Sequence, residues 1–184
     1  MRKPDFKEEY VSTKEEVKGR FLHFRIDEIK LFDGRKSERE YIKHGGAVAV
    51  IPVDSDGNVY VVHQYRYAVG EETLEIPAGK LDSPDEDRQS AALRELREET
   101  GLTAKSVKFI GKYAGSPAIN SEIIWIYFAT DLEHGAMELD EDEFLAVEKM
   151  PLAELVDLVM KGEIPDGKTS FAALWADKYL KDRR

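Results

Sequence analysis

The chain contains no cysteine, so neither disulfides nor thiolate metal sites can form. No apolar run approaches the ~20 residues that a membrane-crossing helix needs. The opening residues, MRKPDFKEEYVSTKEE, hold no apolar core of the kind a secretory signal carries. A soluble cytoplasmic protein with no membrane partner is therefore expected. Positive charge is also scarce: 27 Lys and Arg against 37 Asp and Glu leave a formal net charge of −10. General nucleic-acid binding needs cations to neutralise phosphates, and this balance argues against it. What the chain does have is 184 residues with 42% hydrophobic content, enough for one domain with a core and a small appendage.

Residues 79–102 read GKLDSPDEDRQSAALRELREETGL, a loop, a helix and a stop. Ser83 is the expected N-cap, Pro84 suits the first helical position, and Glu86 completes a capping box. Gly101 is free to take the left-handed conformation that ends the helix. Gln89, Ala92, Leu93, Leu96 and Thr100 cluster on one side, the face expected to pack on the protein. Glu95, Glu98 and Glu99 fall within an arc of about 100° on another side. Arg94 lies one turn from Glu98 and can pair with it. Three carboxylates so close repel one another. A hard divalent cation such as Mg²⁺ or Mn²⁺ relieves that repulsion through oxygen ligands. Taken alone, the same pattern also describes a solvated acidic face.

Elsewhere the chain alternates strand and turn signals. Polar and apolar residues alternate from Phe21 to Phe32, Asp33-Gly34 marks a turn, and Glu40-Tyr41-Ile42 starts the return. This predicts an N-terminal antiparallel β hairpin, too small to stand alone. Ala47 to Val53 is a nearly continuous apolar run, as in a buried central strand. Asp54 to Asn58 is a turn, and Val59 to Tyr65 is expected to return as its partner. Val107–Tyr113, Ile123–Ala129 and Phe144–Glu148 read as further strands. Pro151 opens a helix with Leu152, Leu155, Val156 and Val159 on one face, and Ser170 is expected to cap a last helix over Phe171–Leu180. Strands interrupted by one helix and closed by two more predict an α/β fold, a mixed β-sheet between helical layers.

The organising stretch resembles the signature of the Nudix hydrolase family, G-x5-E-x7-R-E-U-x-E-E-x-G-U with U aliphatic. Gly79, Glu86, Arg94-Glu95-Leu96, Glu98-Glu99 and Gly101-Leu102 supply it in order, with six residues rather than five between Gly79 and Glu86. The extra residue falls in the loop, where it should alter the glycine's approach without moving the carboxylates. The resemblance covers about residues 43–184 and implies a Nudix α/β/α sandwich. Residues 1–42 are then an N-terminal β region and dimerisation element, which the resemblance implies exchanges strands across a homodimer.

By position, the resemblance implies that Glu95 and Glu99 are the main Mg²⁺ ligands. Glu98 would ligate or hold a reacting water, the Ala78 carbonyl would add an oxygen ligand, and Arg94 would orient the carboxylates. Gln64-Tyr65-Arg66-Tyr67, Glu75-Ile76-Pro77-Ala78-Gly79 and Pro117 are similar to segments of the ADP-ribose pyrophosphatase branch. Arg66 would then reach the diphosphate, Glu75 would hold the nucleoside or a neighbouring polar network, and Pro117 would bear on specificity. In that branch a glutamate before a Phe activates water. Asp140-Glu141-Asp142-Glu143-Phe144 matches, with Glu143 the expected base and Glu141 its substitute, although an acidic run of this kind also suits a solvated loop. The chain departs from the branch at Ala118 and Ser121, where glycine and aspartate are usual, so a broader preference is expected. The implied activity is metal-dependent hydrolysis of ADP-ribose, a nucleoside diphosphate sugar, to AMP and ribose 5-phosphate. Other nucleotide sugars, oxidised nucleotides, or a non-catalytic ligand sensor are the alternatives.

Overall fold

The first strand, β1 (Glu9–Lys18), pairs antiparallel with β2 (His23–Lys30), which pairs with β3 (Lys36–Lys43). The computed structural model describes residues 5–20, 22–139 and 144–183. The predicted hairpin is thus present as β2 and β3, turned by Gly34 at φ 88°. The charged segment before it adds a third strand.

These strands belong to the first of two units, Met1–Gly45 with Ala114–Glu122. The later segment joins β3 through the Ile42 N–H to the Ile119 carbonyl (2.8 Å) and the Ser121 N–H to the Ile42 carbonyl (2.9 Å). Alternation puts Arg25, Asp27 and Ile29 on one face of β2. Asp27 is buried there and accepts from Thr13 (2.8 Å) and Tyr41 (2.9 Å), with Arg25 at 3.2 Å. Across the ladder Val17, Phe24 and Ile42 are in register, and Val17 and Phe24 are exposed. This unit buries a charge cluster more thoroughly than its aromatic side.

The second unit, Gly46–Tyr113 with Ile123–Arg184, holds the remaining elements. They are β4 (Ala47–Pro52), β5 (Asn58–Arg66), β6 (Glu71–Glu75), β7 (Ala78–Lys80), α1 (Arg88–Thr100), β8 (Leu102–Tyr113), β9 (Ile124–His134), β10 (Leu145–Pro151), α2 (Leu152–Lys161) and α3 (Gly167–Lys181). A four-stranded mixed sheet runs β7-β4-β9-β8, with β4 and β9 parallel, beside a three-stranded sheet β10-β5-β6. Every residue of β4 is buried. Its Ala47, Ala49 and Ile51 pack with Leu155 of α2 and Ala172, Ala173 and Ala176 of α3, while Val48 and Val50 pack with Ala91, Ala92 and Leu96 of α1. Helices thus cover both faces of one apolar strand, the expected α/β/α arrangement. Among the described residues no helix is long and apolar enough to cross a membrane.

Three local expectations are corrected. β5 is not the sheet partner of β4, whose two edges are occupied by β7 and β9. Among the described residues the one β-bridge between these segments is Val53–Val59, beside their turn. Helix α1 starts at Arg88, capped by Asp87, which accepts the Ser90 N–H at 2.8 Å. Ser83 lies in a preceding turn instead. Glu86 does reach back as a capping-box residue would, but to the Asp82 N–H at 2.7 Å. In the same way α3 is capped by Asp166 through the Thr169 N–H (3.0 Å), not by Ser170. In both helices an aspartate with extended backbone stands immediately before the first turn, and an ionised oxygen is the stronger acceptor.

Candidate active site

Helix α1 turns two of its three predicted carboxylates inward. Glu95 and Glu99 are only 8% and 4% exposed, so the buried face comprises Ala91, Ala92, Glu95, Leu96 and Glu99, with Gln89 left outside. This corrects the expected packing face, which included Gln89 and set Glu95 and Glu99 on another side. The helix packs against β7 and β4, and the Glu99 carboxylate accepts the Ala78 N–H at 3.2 Å. A Cβ on Gly79 would overlap the Glu95 carboxylate. Only glycine leaves room there, which gives the box glycine a concrete reason despite the longer loop. Gly101 ends the helix at φ 69°, its N–H on the Arg97 carbonyl.

Arg94 organises the acids from outside. Its Nη1 donates to Glu95 (2.8 Å) and Glu98 (2.9 Å), and its Nε lies 3.4 Å from Glu86. Burial would lower the pKa of this guanidinium, but Glu95 and Glu98 outweigh that effect and the net shift is upward.

A second polar group lies along β5, β6 and α3. Arg66 forms a bidentate pair with Glu75, Nε to Oε1 at 2.6 Å and Nη2 to Oε2 at 2.7 Å. Thr73 donates to Oε1 (2.6 Å) and Lys168 to Oε2. Burial pushes the Glu75 carboxyl up, but hydrogen bonding from Arg66 and the charge of Lys168 prevail and bring it down to about 2. The Glu75 bond raises the Arg66 pKa, and Glu99 adds to that rise through its field. Arg66 is thus electrostatically linked to the α1 acids.

The chain matches the NUDIX domain over residues 43–173. It belongs to the Nudix family. It is 39% identical over 168 residues to the ADP-ribose pyrophosphatase of Bacillus subtilis (strain 168), covering 90% of each chain. It is also 37% identical over 169 residues to the methanol dehydrogenase activator of Bacillus methanolicus, covering 91% of each. A solved structure of an ADP compounds hydrolase superposes with a TM-score of 0.77 at 25% identity, over 100% of this chain and 97% of that one.

Nudix hydrolases generally need divalent cations. Among the described residues no three or more Asp, Glu or His side chains are already gathered as a metal site. The donor chemistry nonetheless fits a hard cation: two buried carboxylates stand against the β7 backbone, with Glu98 one turn away and only oxygen atoms on offer. The structure places Glu99 on the Ala78 N–H, Glu95 against Gly79, Glu95 and Glu98 on one nitrogen of Arg94, and Arg66 on Glu75. Pro117 belongs to the other unit, exposed in a turn closed by the Ile119 and Asn120 N–H groups on the Ser116 carbonyl. Ser121 there accepts the His44 N–H at 2.9 Å. Glu141 and Glu143 lie outside the described residues. Sequence reasoning missed Lys168, Thr73 and Asp166. The one available signal was Asp166-Gly167-Lys168-Thr169, which reads as a turn and a surface charge.

Proposed function

We propose that this Nudix hydrolase cleaves the diphosphate of ADP-ribose to AMP and ribose 5-phosphate, using Mg²⁺ or, in its place, Mn²⁺. The observation that carries this reading is the 39% identity, spanning both chains, to a protein named for that activity. Glu95, Glu99 and Glu98 with the Ala78 carbonyl would hold the cation, which supplies charge neutralisation at the phosphate oxygens. Arg66 donates to the diphosphate from its outer edge. Glu143 takes the proton of the attacking water, and Glu141 is the substitute. Support for these two comes from the DEDEF sequence alone. Glu143→Gln is expected to lower kcat by roughly 10²–10⁴ without loss of fold, and unchanged turnover would remove it from the mechanism.

The deciding experiment is a panel of ADP-ribose, other nucleotide sugars and nucleoside triphosphates with Mg²⁺. ADP-ribose should be turned over best, equal or faster cleavage of triphosphates would overturn the choice, and a sensor would turn over none of them. Homodimerisation through the N-terminal strands belongs to the same reading. Its support is β1, an edge strand with Tyr10, Val11 and Val17 exposed. Val17→Asp with Phe24→Asp should give a monomer in sedimentation, and a monomeric wild type would refute the dimer.

A further inference from the structure

Lys168 is a buried cation that the hydrolysis just described does not use. It sits in the first turn of α3, 6% exposed, with Nζ on the Glu75 carboxylate and 3.1 Å from Asp166. Taking an ammonium out of water is costly unless its partners compensate, so a lysine here needs a reason that an apolar residue would not satisfy.

Its neighbours supply one. Asp166 both caps α3 and binds Lys168, fixing the ammonium to the start of the helix. The next residue, Thr169, accepts the Ile76 N–H at 2.8 Å. Helix α3 thus holds Glu75 and Ile76 at two consecutive positions, immediately ahead of the strand that lies against Glu99. Glu75 in turn presents both oxygens to Arg66. A carboxylate facing one guanidinium could rock about that pair. Lys168 on one oxygen and Thr73 on the other remove the freedom. Nη1 of Arg66 has no hydrogen-bond partner among the described residues, and the side chain is 40% exposed.

We infer that Lys168 is a positioning residue for a diphosphate, acting through Glu75 to aim the outer edge of Arg66. It also offsets the Glu75 charge, so Arg66 keeps a positive field towards an anion instead of being neutralised by its own partner. The ammonium does not contact the ligand. The inference rests on the diphosphate hydrolase reading for its ligand class.

Calorimetric titration with inorganic pyrophosphate and Mg²⁺ tests it on wild type, Lys168→Met, Lys168→Arg, Arg66→Met and the Lys168→Met/Arg66→Met double variant. Lys168→Met should weaken binding about tenfold, and Lys168→Arg should restore most of it. The double variant should bind no more weakly than Arg66→Met alone, because Lys168 works through Arg66. With ADP-ribose, the Lys168→Met loss should fall on KM more than on kcat. Should the Met variant fail to fold, Lys168→Gln takes its place with the same expected loss. Wild-type affinity in the uncharged variant, losses that multiply in the double variant, or a wild type that does not bind pyrophosphate would each overturn the inference. Pyrophosphate binding that depends on Lys168 and Arg66, without turnover of ADP-ribose, would refute the substrate choice and leave this inference standing.

Discussion

Two groups of buried acids lie in the second unit, and their charges are balanced differently. Glu75 faces two cations, Arg66 and Lys168, with Thr73 completing its hydrogen bonds. On α1 the pairings run the other way: among the described residues Arg94 spans Glu86, Glu95 and Glu98, while Glu99 lies against the β7 backbone. The first arrangement is complete as it stands and acts as a brace. The second gathers four glutamates on and beside one helix turn of the described residues, and such crowding of carboxylates is the condition under which an added divalent cation gains most. Glu95 and Glu99 are buried as Glu75 is, whereas Glu86 and Glu98 are only partly so; the arrangement of countercharge separates structure from chemistry.

That contrast can be broken from either side. The largest effect is expected at the carboxylates of α1. Glu95→Gln should cut hydrolysis on the order of 10³-fold, since it weakens the charge stabilisation of the reacting phosphate. Thermal unfolding of that variant should show little destabilisation, because a buried acid has been neutralised. Gly79→Ala should give a loss of comparable size for a different reason: its Cβ displaces the Glu95 carboxylate. If Gly79→Ala keeps wild-type turnover, the close approach has no part in function.

The opposite profile is expected for the brace. Glu75→Gln leaves Arg66 and Lys168 without their shared countercharge and should cost about 3–5 kcal/mol of stability, read as a lower urea midpoint at neutral pH. The pH dependence has a definite sign. The Glu75 carboxyl is held at about 2 in the folded chain, below the ordinary 4.5, so its contribution is full above about pH 4.5 and is lost as pH falls towards 2. Wild type should lose stability across that window more steeply than Glu75→Gln. Parallel curves would show that Glu75 is not held by the two cations.

How much of this could be read from the residues depends on the range of the forces involved. The box from Glu86 to Leu102 was legible because a helix fixes Arg94, Glu95, Glu98 and Glu99 by spacing alone, and β4 because its apolar run admits no solvent face. The exact helix start was not, since Ser83 and Asp87 are both capping residue types and the competition is decided by loop geometry. Nor was the burial of Glu95 and Glu99, because periodicity assigns acids to the outside unless a glycine from another strand is known to stand beneath them. Pairing of β4 with β5 was inferred from their nearness in sequence, whereas the edges of β4 are filled by β7 and by β9, distant in the chain. Lys168 was hidden for the same reason: its partner Glu75 is 93 residues away.

The most direct test of the contrast is Mn²⁺ titration by calorimetry of wild type, Glu95→Gln, Glu99→Gln and Glu75→Gln at neutral pH. The account predicts Mn²⁺ uptake by wild type, its loss in both α1 variants, and its retention in any Glu75→Gln that remains folded. Equal uptake by wild type and the α1 variants, or none by wild type with pyrophosphate present, would contradict it.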